Sequence, residues 1–333
     1  MRTVSASYDP NAEMRDVGVK IQFLGTYSGL SLSTSDIISM KLTEGLDVTG
    51  ESFPSRSLKI EALDTLGLSF ASLETDYVGA EFEAYIGING EYISVGKFYI
   101  DEIDTPDLGL TVSIEASDRV KTYMDKYMTG LYTSASTLMS TLVAHPQGAI
   151  YGLDLYCDEG TLQATVFPNM LTTVDSQRDV LLRLAQAAGM ASVWVDRDMT
   201  THMEQFGEKS GYSATLTAKG ILEYSSLKLG SHTDYVEVSG ENEGSEFGAS
   251  WGTYTRGCLA DFLDNDFIDG SFALIVAYRY YIAKNQRFEL SLKTRCNPAI
   301  EPGDRVLVKK PNGSEIGEFT LASQTIYFDE DGL

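Results

Sequence analysis

Apolar and polar residues alternate along three consecutive stretches between residues 82 and 115, the pattern of strands that bury one face. The apolar positions are Phe82, Ala84 and Ile86, then Ile93 and Val95, then Leu110, Val112 and Ile114. Asn89-Gly90 separates the first two stretches, and this dipeptide readily adopts the positive φ angles of a two-residue hairpin turn. The pattern predicts a β-meander.

Strand periodicity precedes the meander and helical periodicity follows it. The predicted strands are Val17–Leu24, Asp36–Leu42 and Arg56–Leu63, after a polar arm or edge strand at residues 1–16. The predicted helices are Asp118–Tyr127, Ser134–Ala144 and Asp175–Ala188. Ser134 would cap the second helix and Pro146 would end it. Asp175 or Ser176 would cap the third, and Gly189 would stop it.

The remainder of the chain is predicted to be mostly strands. A strand at Ala191–Val195 precedes a turn at Asp196-Arg197, and Val236 and Val238 alternate with polar residues. The Gly-, Ser- and Glu-rich stretch Glu241–Gly257 is interpreted as a loop. Ser271–Lys284 is predicted to be a helix whose apolar stripe consists of Leu274, Tyr278, Tyr281 and Ile282. A further strand alternates Phe288, Leu290 and Leu292 with polar residues.

The charge of the chain is strongly negative. Its 333 residues include 25 Lys and Arg against 48 Asp and Glu, a formal net charge of −23. A protein that grips nucleic acid needs clustered Lys and Arg to neutralise phosphates, so this composition argues against such a role. Two interpretations stay open: the acidity keeps the protein soluble, or it lets DNA slide past an acidic wall. The length of 333 residues predicts two or three domains, and a hydrophobic content of 43% indicates a globular chain.

Three widely spaced cysteines, Cys157, Cys258 and Cys296, form no CxxC motif. With an N-terminus that lacks an apolar signal core, we expect reduced thiols made in a cytosol. The longest apolar run, Phe272–Ala283, contains Arg279 and is shorter than the ~20 residues that span a bilayer. We therefore expect no membrane anchor.

Candidate chemistry is sparse. His145, His202 and His232 have no neighbours at metal-ligand spacing, and no nucleophile motif surrounds a conceivable Cys157–His145 pair. No GxSxG, Walker or GxGxxG motif occurs. We predict no catalytic, cofactor-binding or metal-binding residues.

Two clusters could be mistaken for sites. Four acids, Asp261, Asp264, Asp266 and Asp269, lie in DFLDNDFIDG, but their register does not fit an EF-hand loop. A solvated loop and helix cap is the favoured interpretation, with Phe262, Phe267 and Ile268 as core residues. Five tyrosines could stack on carbohydrate, but their helical spacing favours packing under a barrel or at a subunit contact: Tyr123, Tyr127, Tyr278, Tyr280 and Tyr281.

Several short sequence segments, taken in order along the chain, resemble those of the tail hub proteins of tailed bacteriophages, prophages and related injection particles. They are Ala84-Tyr85-Ile86-Gly87, Gly96-Lys97-Phe98-Tyr99-Ile100-Asp101, Ile114-Glu115-Ala116-Ser117-Asp118-Arg119, the segment Arg178–Arg197, and Pro302-Gly303-Asp304. The family more often has Tyr at the position of Ser117 and Gly at that of Met199, so this chain departs from the family pattern at the turn that contains Asp196-Arg197. Asn312-Gly313 is a second Asn-Gly pair like the one in the Asn89-Gly90 hairpin, as expected of a chain built from two related β domains.

The resemblance implies a mainly β fold with two tail-tube-like β-barrel domains, residues 1–120 and 205–333, around a small α/β domain at 121–204. It implies a structural, non-enzymatic hub at the virion tail tip, assembled in the host bacterial cytoplasm. Three copies would form a ring that joins the distal tail or tail-tube protein to a tip, spike or fibre protein. DNA would pass through the acidic channel without specific binding, and no cofactor is implied.

Two other functional classes remain open. The chain could be a tail-associated cell-wall hydrolase, because any two carboxylates could meet in space as an acid pair. It could also be a receptor- or carbohydrate-binding tail-tip protein.

Overall fold

The computed structural model describes residues 4, 8–10, 16–67, 77–105, 110–121, 125, 131–133, 137–138, 155–156, 165–168, 170–172, 176–204, 211–230, 232–242, 244–285 and 288–329. These residues form a mostly β protein.

The strands in the first half of the chain are β1 Val17–Phe23, β2 Ser31–Leu32, β3 Ile37–Gly45, β4 Ser57–Leu63, β5 Glu81–Ile88, β6 Glu91–Asp104, β7 Thr111–Ser117, β8 Leu131–Thr133, β9 Thr137–Leu138, β10 Leu155–Tyr156, β11 Val166–Phe167 and β12 Met170–Thr172. Those in the second half are β13 Ser192–Val195, β14 Thr201–Glu204, β15 Ala214–Leu216, β16 Ile221–Leu229, β17 Tyr235–Asn242, β18 Ser245–Gly252, β19 Ala260–Asp264, β20 Phe288–Thr294, β21 Arg305–Lys309, β22 Glu315–Thr320 and β23 Ser323–Phe328. The helices are the 3-10 turn Gly25–Tyr27, α1 Gln177–Ala187 and α2 Ala273–Lys284.

An eight-stranded antiparallel sheet is the largest unit, in the order β2-β1-β5-β6-β7-β4-β3-β23. Its alternating apolar residues form one core, with Phe23, Phe82 and Phe98 fully buried at its centre. The last strand, β23, pairs with β3 rather than with its neighbours in sequence. Within the described residues the sheet is open, with β2 and β23 at its edges.

The predicted meander is confirmed as β5, β6 and β7. Asn89 and Gly90 join β5 to β6 with φ angles of 53° and 81°, so both central residues of the turn are left-handed, as in a type I′ hairpin. The second predicted hairpin turn, at Asn312-Gly313, lies between β21 and β22.

A second core joins the two helices to the strands beside them. α1 begins at the N-cap Ser176, whose hydroxyl oxygen accepts a hydrogen bond from the Asp179 amide. Val180 and Leu184 of α1 pack into this core with the buried faces of α2, β13, β14 and β17. Gly189 follows the helix with φ 104°, which confirms the predicted stop.

Three small ladders complete the C-terminal part. β17 lies between β18 and β19, and β21 lies between β15 and β22. β16 and β20 pair with each other as a two-stranded ribbon. Ile221 of this ribbon lies in a small core with Ile300 and Val306.

Two predicted elements are wrong. Thr137–Leu138, inside the predicted helix 134–144, is strand β9, because these residues pair with β11 and a partner strand overrides local periodicity. The rest of that predicted helix lies outside the described residues. Glu241–Gly257, interpreted as a loop, contains the end of β17 and the whole of β18. Its Gly and Ser residues are held in the ladder by β17, and Gly244 forms the turn with φ 79°.

The acidic segment around residue 264 also differs from its prediction. Ala260–Asp264 is strand β19, parallel to β17, instead of a loop. Phe267 and Ile268 are buried as predicted, but Phe262 is exposed because it lies on the outer face of this edge strand. The predicted helix 118–127 falls mostly outside the described residues; residues 119–121 are helical.

Candidate functional site

The described histidines are engaged in local contacts. His202 Nε2 lies 3.0 Å from Asp196 Oδ2, and its ring stacks on Trp194 with centroids 5.0 Å apart. His232 contacts Asn285 Oδ1 through Nδ1 at 2.5 Å and Asp234 through Nε2 at 3.2 Å. His145 and Cys157 lie outside the described residues, so the hypothetical pair between them is untested. Cys258 and Cys296 are half-buried thiols.

The acidic side chains of DFLDNDFIDG accept hydrogen bonds from nearby backbone and side-chain groups. Asp266 accepts from the Glu241 amide at 2.8 Å, and Asp269 accepts from the Ser271 amide at 2.9 Å before α2 begins. Asp261 accepts from the Thr233 hydroxyl at 2.8 Å. Within the part of the chain that the structure describes, no three His, Cys, Asp or Glu side chains are grouped to hold a metal ion.

A buried ion pair fastens the middle of the chain to the first sheet. Arg197, in the turn between β13 and β14, donates to both carboxylate oxygens of Glu44 on β3, at 2.5 and 3.3 Å. Both side chains are at most 1% exposed. Arg197 also donates to the carbonyls of Pro298 and Ile300, and Gln324 of β23 donates to Glu44 at 2.6 Å. Burial would lower the pKa of Arg197 because it disfavours the charged guanidinium. The charge of Glu44 and its hydrogen bonds outweigh burial, so the pKa of Arg197 is raised.

Met199 completes the turn that presents Arg197. Its φ is 72°, a left-handed conformation that costs a non-glycine residue about 1 kcal/mol or more. The turn therefore keeps the geometry that a glycine would take. The Asp196 carboxylate holds it by accepting from the amides of Asp198 and Thr200, both at 2.9 Å.

Lys284 ties the end of α2 to the segment between β3 and β4. Its Nζ lies 2.6 Å from Glu51 Oε1 and 3.5 Å from Asp261 Oδ1. Burial would lower the pKa of Lys284, but the hydrogen bond and charge of Glu51 raise it overall. The Tyr280 hydroxyl donates to the same Glu51 carboxylate at 3.3 Å. These contacts fix which side of α2 faces outward.

The outward side of α2 is apolar and carries three residues of the predicted stripe. The buried residues of α2 are Ala273, Val276, Ala277, Tyr280 and Ala283. Leu274, Tyr278 and Ile282 are 54%, 43% and 40% exposed. The Trp251 ring of β18 meets the Tyr278 ring edge-on, with the ring centroids 4.8 Å apart. We call Leu274, Tyr278, Ile282 and Trp251 the α2 face. Periodicity did not predict which way this stripe faces, because α2 is apolar over most of its surface and either stripe could be turned inward.

The ribbon exposes a second apolar surface. Its register places Leu227 opposite Leu290 and Leu229 opposite Phe288, so the four side chains share one face. Leu227, Leu229 and Phe288 are 59%, 58% and 70% exposed; we call these three the ribbon face. The alternation of β20 was visible in the sequence, but the exposure of its apolar side was not.

The described residues include no helix with the length and apolar character needed to cross a membrane.

Comparison with known proteins shows similarity in structure and not in sequence. No protein-family model and no curated protein matches the chain. The tail protein from Neisseria meningitidis MC58 has a TM-score of 0.64 at 14% identity, covering 95% of this chain and 93% of that one. The prophage MuSo2 43 kDa tail protein from Shewanella oneidensis has a TM-score of 0.60 at 13% identity, with 95% and 94% covered. Prophage tail protein gp18 from Listeria monocytogenes has a TM-score of 0.55 at 11% identity, with 93% and 90% covered. The chain thus has the fold of phage-type tail proteins.

Proposed function

We propose that this chain is the structural hub of a phage or phage-like tail tip. Three copies form a ring whose one side docks the distal tail-tube protein and whose other side docks a tip, spike or fibre protein. The observation that carries the proposal is the structural similarity to three tail proteins over at least 93% of this chain and 90% of each of theirs. A match of that extent concerns the whole architecture and not one shared motif.

The proposal keeps the predicted division into two barrel-like units, 1–120 and 205–333, around the segment 121–204. In it, β23 belongs in space to the first unit, because it pairs with β3. The Glu44–Arg197 pair and the Lys284–Glu51 contact hold the units in a fixed relation. Rigid connection suits a ring that must bear load between a tube and a tip.

The ring acts by shape and charge, without catalysis. With a net charge of −23 per copy, the bore repels the DNA backbone and leaves the genome free to slide. Only side chains within about 8 Å of the duplex contribute, because salt screens the others. The three matched proteins are described as tail proteins, which fits a structural part better than an enzyme.

Negative-stain electron microscopy of the purified protein tests the proposal directly. We expect rings with threefold symmetry and a central bore, and a native mass three times 36.5 kDa. A protein that stays monomeric, even with its tail-tube protein present, would contradict it. A zymogram on host cell walls tests the hydrolase class, and clearing there would reject the structural role.

One observation favours a second candidate, a carbohydrate-binding tip protein. Tyr254 is 70% exposed, and its ring meets the Tyr235 ring edge-on with centroids 5.1 Å apart. Exposed aromatic rings are suited to stacking on sugars. Adsorption of the isolated protein to host cells, abolished by Tyr254→Ala, would favour this candidate over the hub.

A further inference from the structure

The α2 face needs a protein partner. A helix that is apolar on all sides is typical of helices buried on all sides, yet this face stays about half exposed in the single chain. With 12 residues, α2 is too short to span a bilayer, which needs about 20. A surface of another polypeptide is therefore the covering that fits it.

The ribbon needs a partner for a different reason. A two-stranded antiparallel unit is at best marginally stable alone in water. Here it also turns Leu227, Leu229 and Phe288 toward solvent, and only its other residues, such as Ile221 and Leu292, pack with the small core. Covering the ribbon face would stabilise the exposed part of the ribbon.

The distribution of charge makes these faces the surfaces on which a second copy of this chain can dock. Copies with a net charge of −23 repel each other, and this repulsion is weakest where acidic side chains are absent. Residues 224–233 and 270–288 contain no Asp or Glu, in a chain that has 48 of them. These two stretches carry the ribbon face and all of the α2 face except Trp251.

We propose that the ribbon face of one copy packs on the α2 face of the next copy, head to tail around the ring. A threefold ring requires such a heterologous contact, in which two different patches meet, and the chain has two different patches. Each half-exposed large apolar side chain offers on the order of 100 Å². One contact joins one α2 face to one ribbon face, so these side chains supply on the order of 400 Å² from one copy and on the order of 300 Å² from the next. The residues around the two faces would supply the rest of the roughly 800 Å² that each partner contributes to a standard interface. This inference rests on the proposed ring.

Paired variants test the contact. Tyr278→Asp places a charge in the α2 face, and Leu229→Asp places one in the ribbon face. Leu110→Asp adds the same charge at a residue that is 75% exposed near the first sheet, and serves as the matched control. We expect each face variant alone to be monomeric by light scattering at concentrations at which the wild type and the control are trimers.

Mixing the two face variants gives the decisive result. One intact α2 face and one intact ribbon face remain, so the mixture should form pairs of one copy each and no trimers. If Tyr278→Asp blocks assembly while Leu229→Asp assembles normally, the contact is a twofold α2–α2 pair and the proposal is wrong. Trimers of both variants would overturn this contact and leave the ring standing, whereas a monomeric wild type would overturn both.

Tryptophan fluorescence provides a second readout that does not depend on a variant in the α2 face. Trp194 is 7% exposed and Trp251 is 39% exposed, so assembly should change mainly the Trp251 signal. We expect the wild-type emission to shift to the blue as concentration rises through the assembly range, and Leu229→Asp to show no shift. Circular dichroism melting checks that both proteins are folded; an unshifted wild-type emission on trimer formation would contradict the proposal.

Discussion

The guanidinium of Arg197 bonds both carboxylate oxygens of Glu44, a residue 153 positions earlier, at a point where neither side chain reaches solvent. The pair joins the turn after β13 to the end of β3 in the first sheet. Because Gln324 donates to the same carboxylate, three distant segments meet there.

Removing one member of this pair should strongly destabilise the protein. Arg197→Ala leaves the buried Glu44 carboxylate without its positively charged partner, which typically costs about 3–5 kcal/mol. Lys59→Ala is the control, because the Lys59–Glu115 pair is 51% and 53% exposed and such pairs contribute about 1 kcal/mol or less. Urea unfolding measures both. Equal effects of the two substitutions would show that the buried junction is not a major source of stability.

Gly96 should not accept a side chain. Its φ is 120°, and an added Cβ would lie 2.6 Å from Nη1 of Arg56, which is itself buried against Asp118. Gly96→Ala should lower the free energy of unfolding by about 2–4 kcal/mol through backbone strain and overpacking. Gly29→Ala, where a Cβ would meet nothing within 4 Å, should change it by less than about 1 kcal/mol. Thermal or urea unfolding of the two variants decides the matter.

Asp196 should contribute to stability except in acid. Burial would raise the pKa of its carboxyl, but the hydrogen bonds from His202 and from the amides of Thr200 and Asp198 outweigh burial and lower that pKa. A lowered folded-state pKa stabilises the protein above the unfolded value, about 3.9, and this stability is lost as pH falls through the folded-state pKa. Asp196→Asn should therefore reduce stability near neutral pH and flatten its decline below about pH 4. Unfolding free energies measured across pH 2–7 test this; an unchanged acid slope would refute it.

Local patterns predicted much of the fold. The alternation around Asn89-Gly90 gave the meander, because the turn type and the buried face both follow from nearby residues. Ser176 and Gly189 bounded α1 for the same reason. Periodicity failed where a distant partner decides: β18 is a strand because β17 lies beside it, and β9 because β11 does.

The candidate surfaces were harder to foresee. The sequence predicted the stripe Leu274–Tyr278–Ile282 but not its exposure, because nothing in a mostly apolar helix says which side meets the chain's own core. The contacts that orient α2 join Lys284 to Glu51, and no local pattern links residues so far apart. The Arg197–Glu44 junction was missed for the same reason.

Placing β23 beside β3 also has a consequence for synthesis on the ribosome. The residue Gln324 that reaches Glu44 is made 280 residues after it, so the nascent chain must hold the edge of β3 unpaired while nearly all of the intervening polypeptide emerges. Unpaired edges invite wrong strand partners. Chains whose translation aborts before β23 would keep that edge bare, and should be the species that chaperones retain and proteases clear.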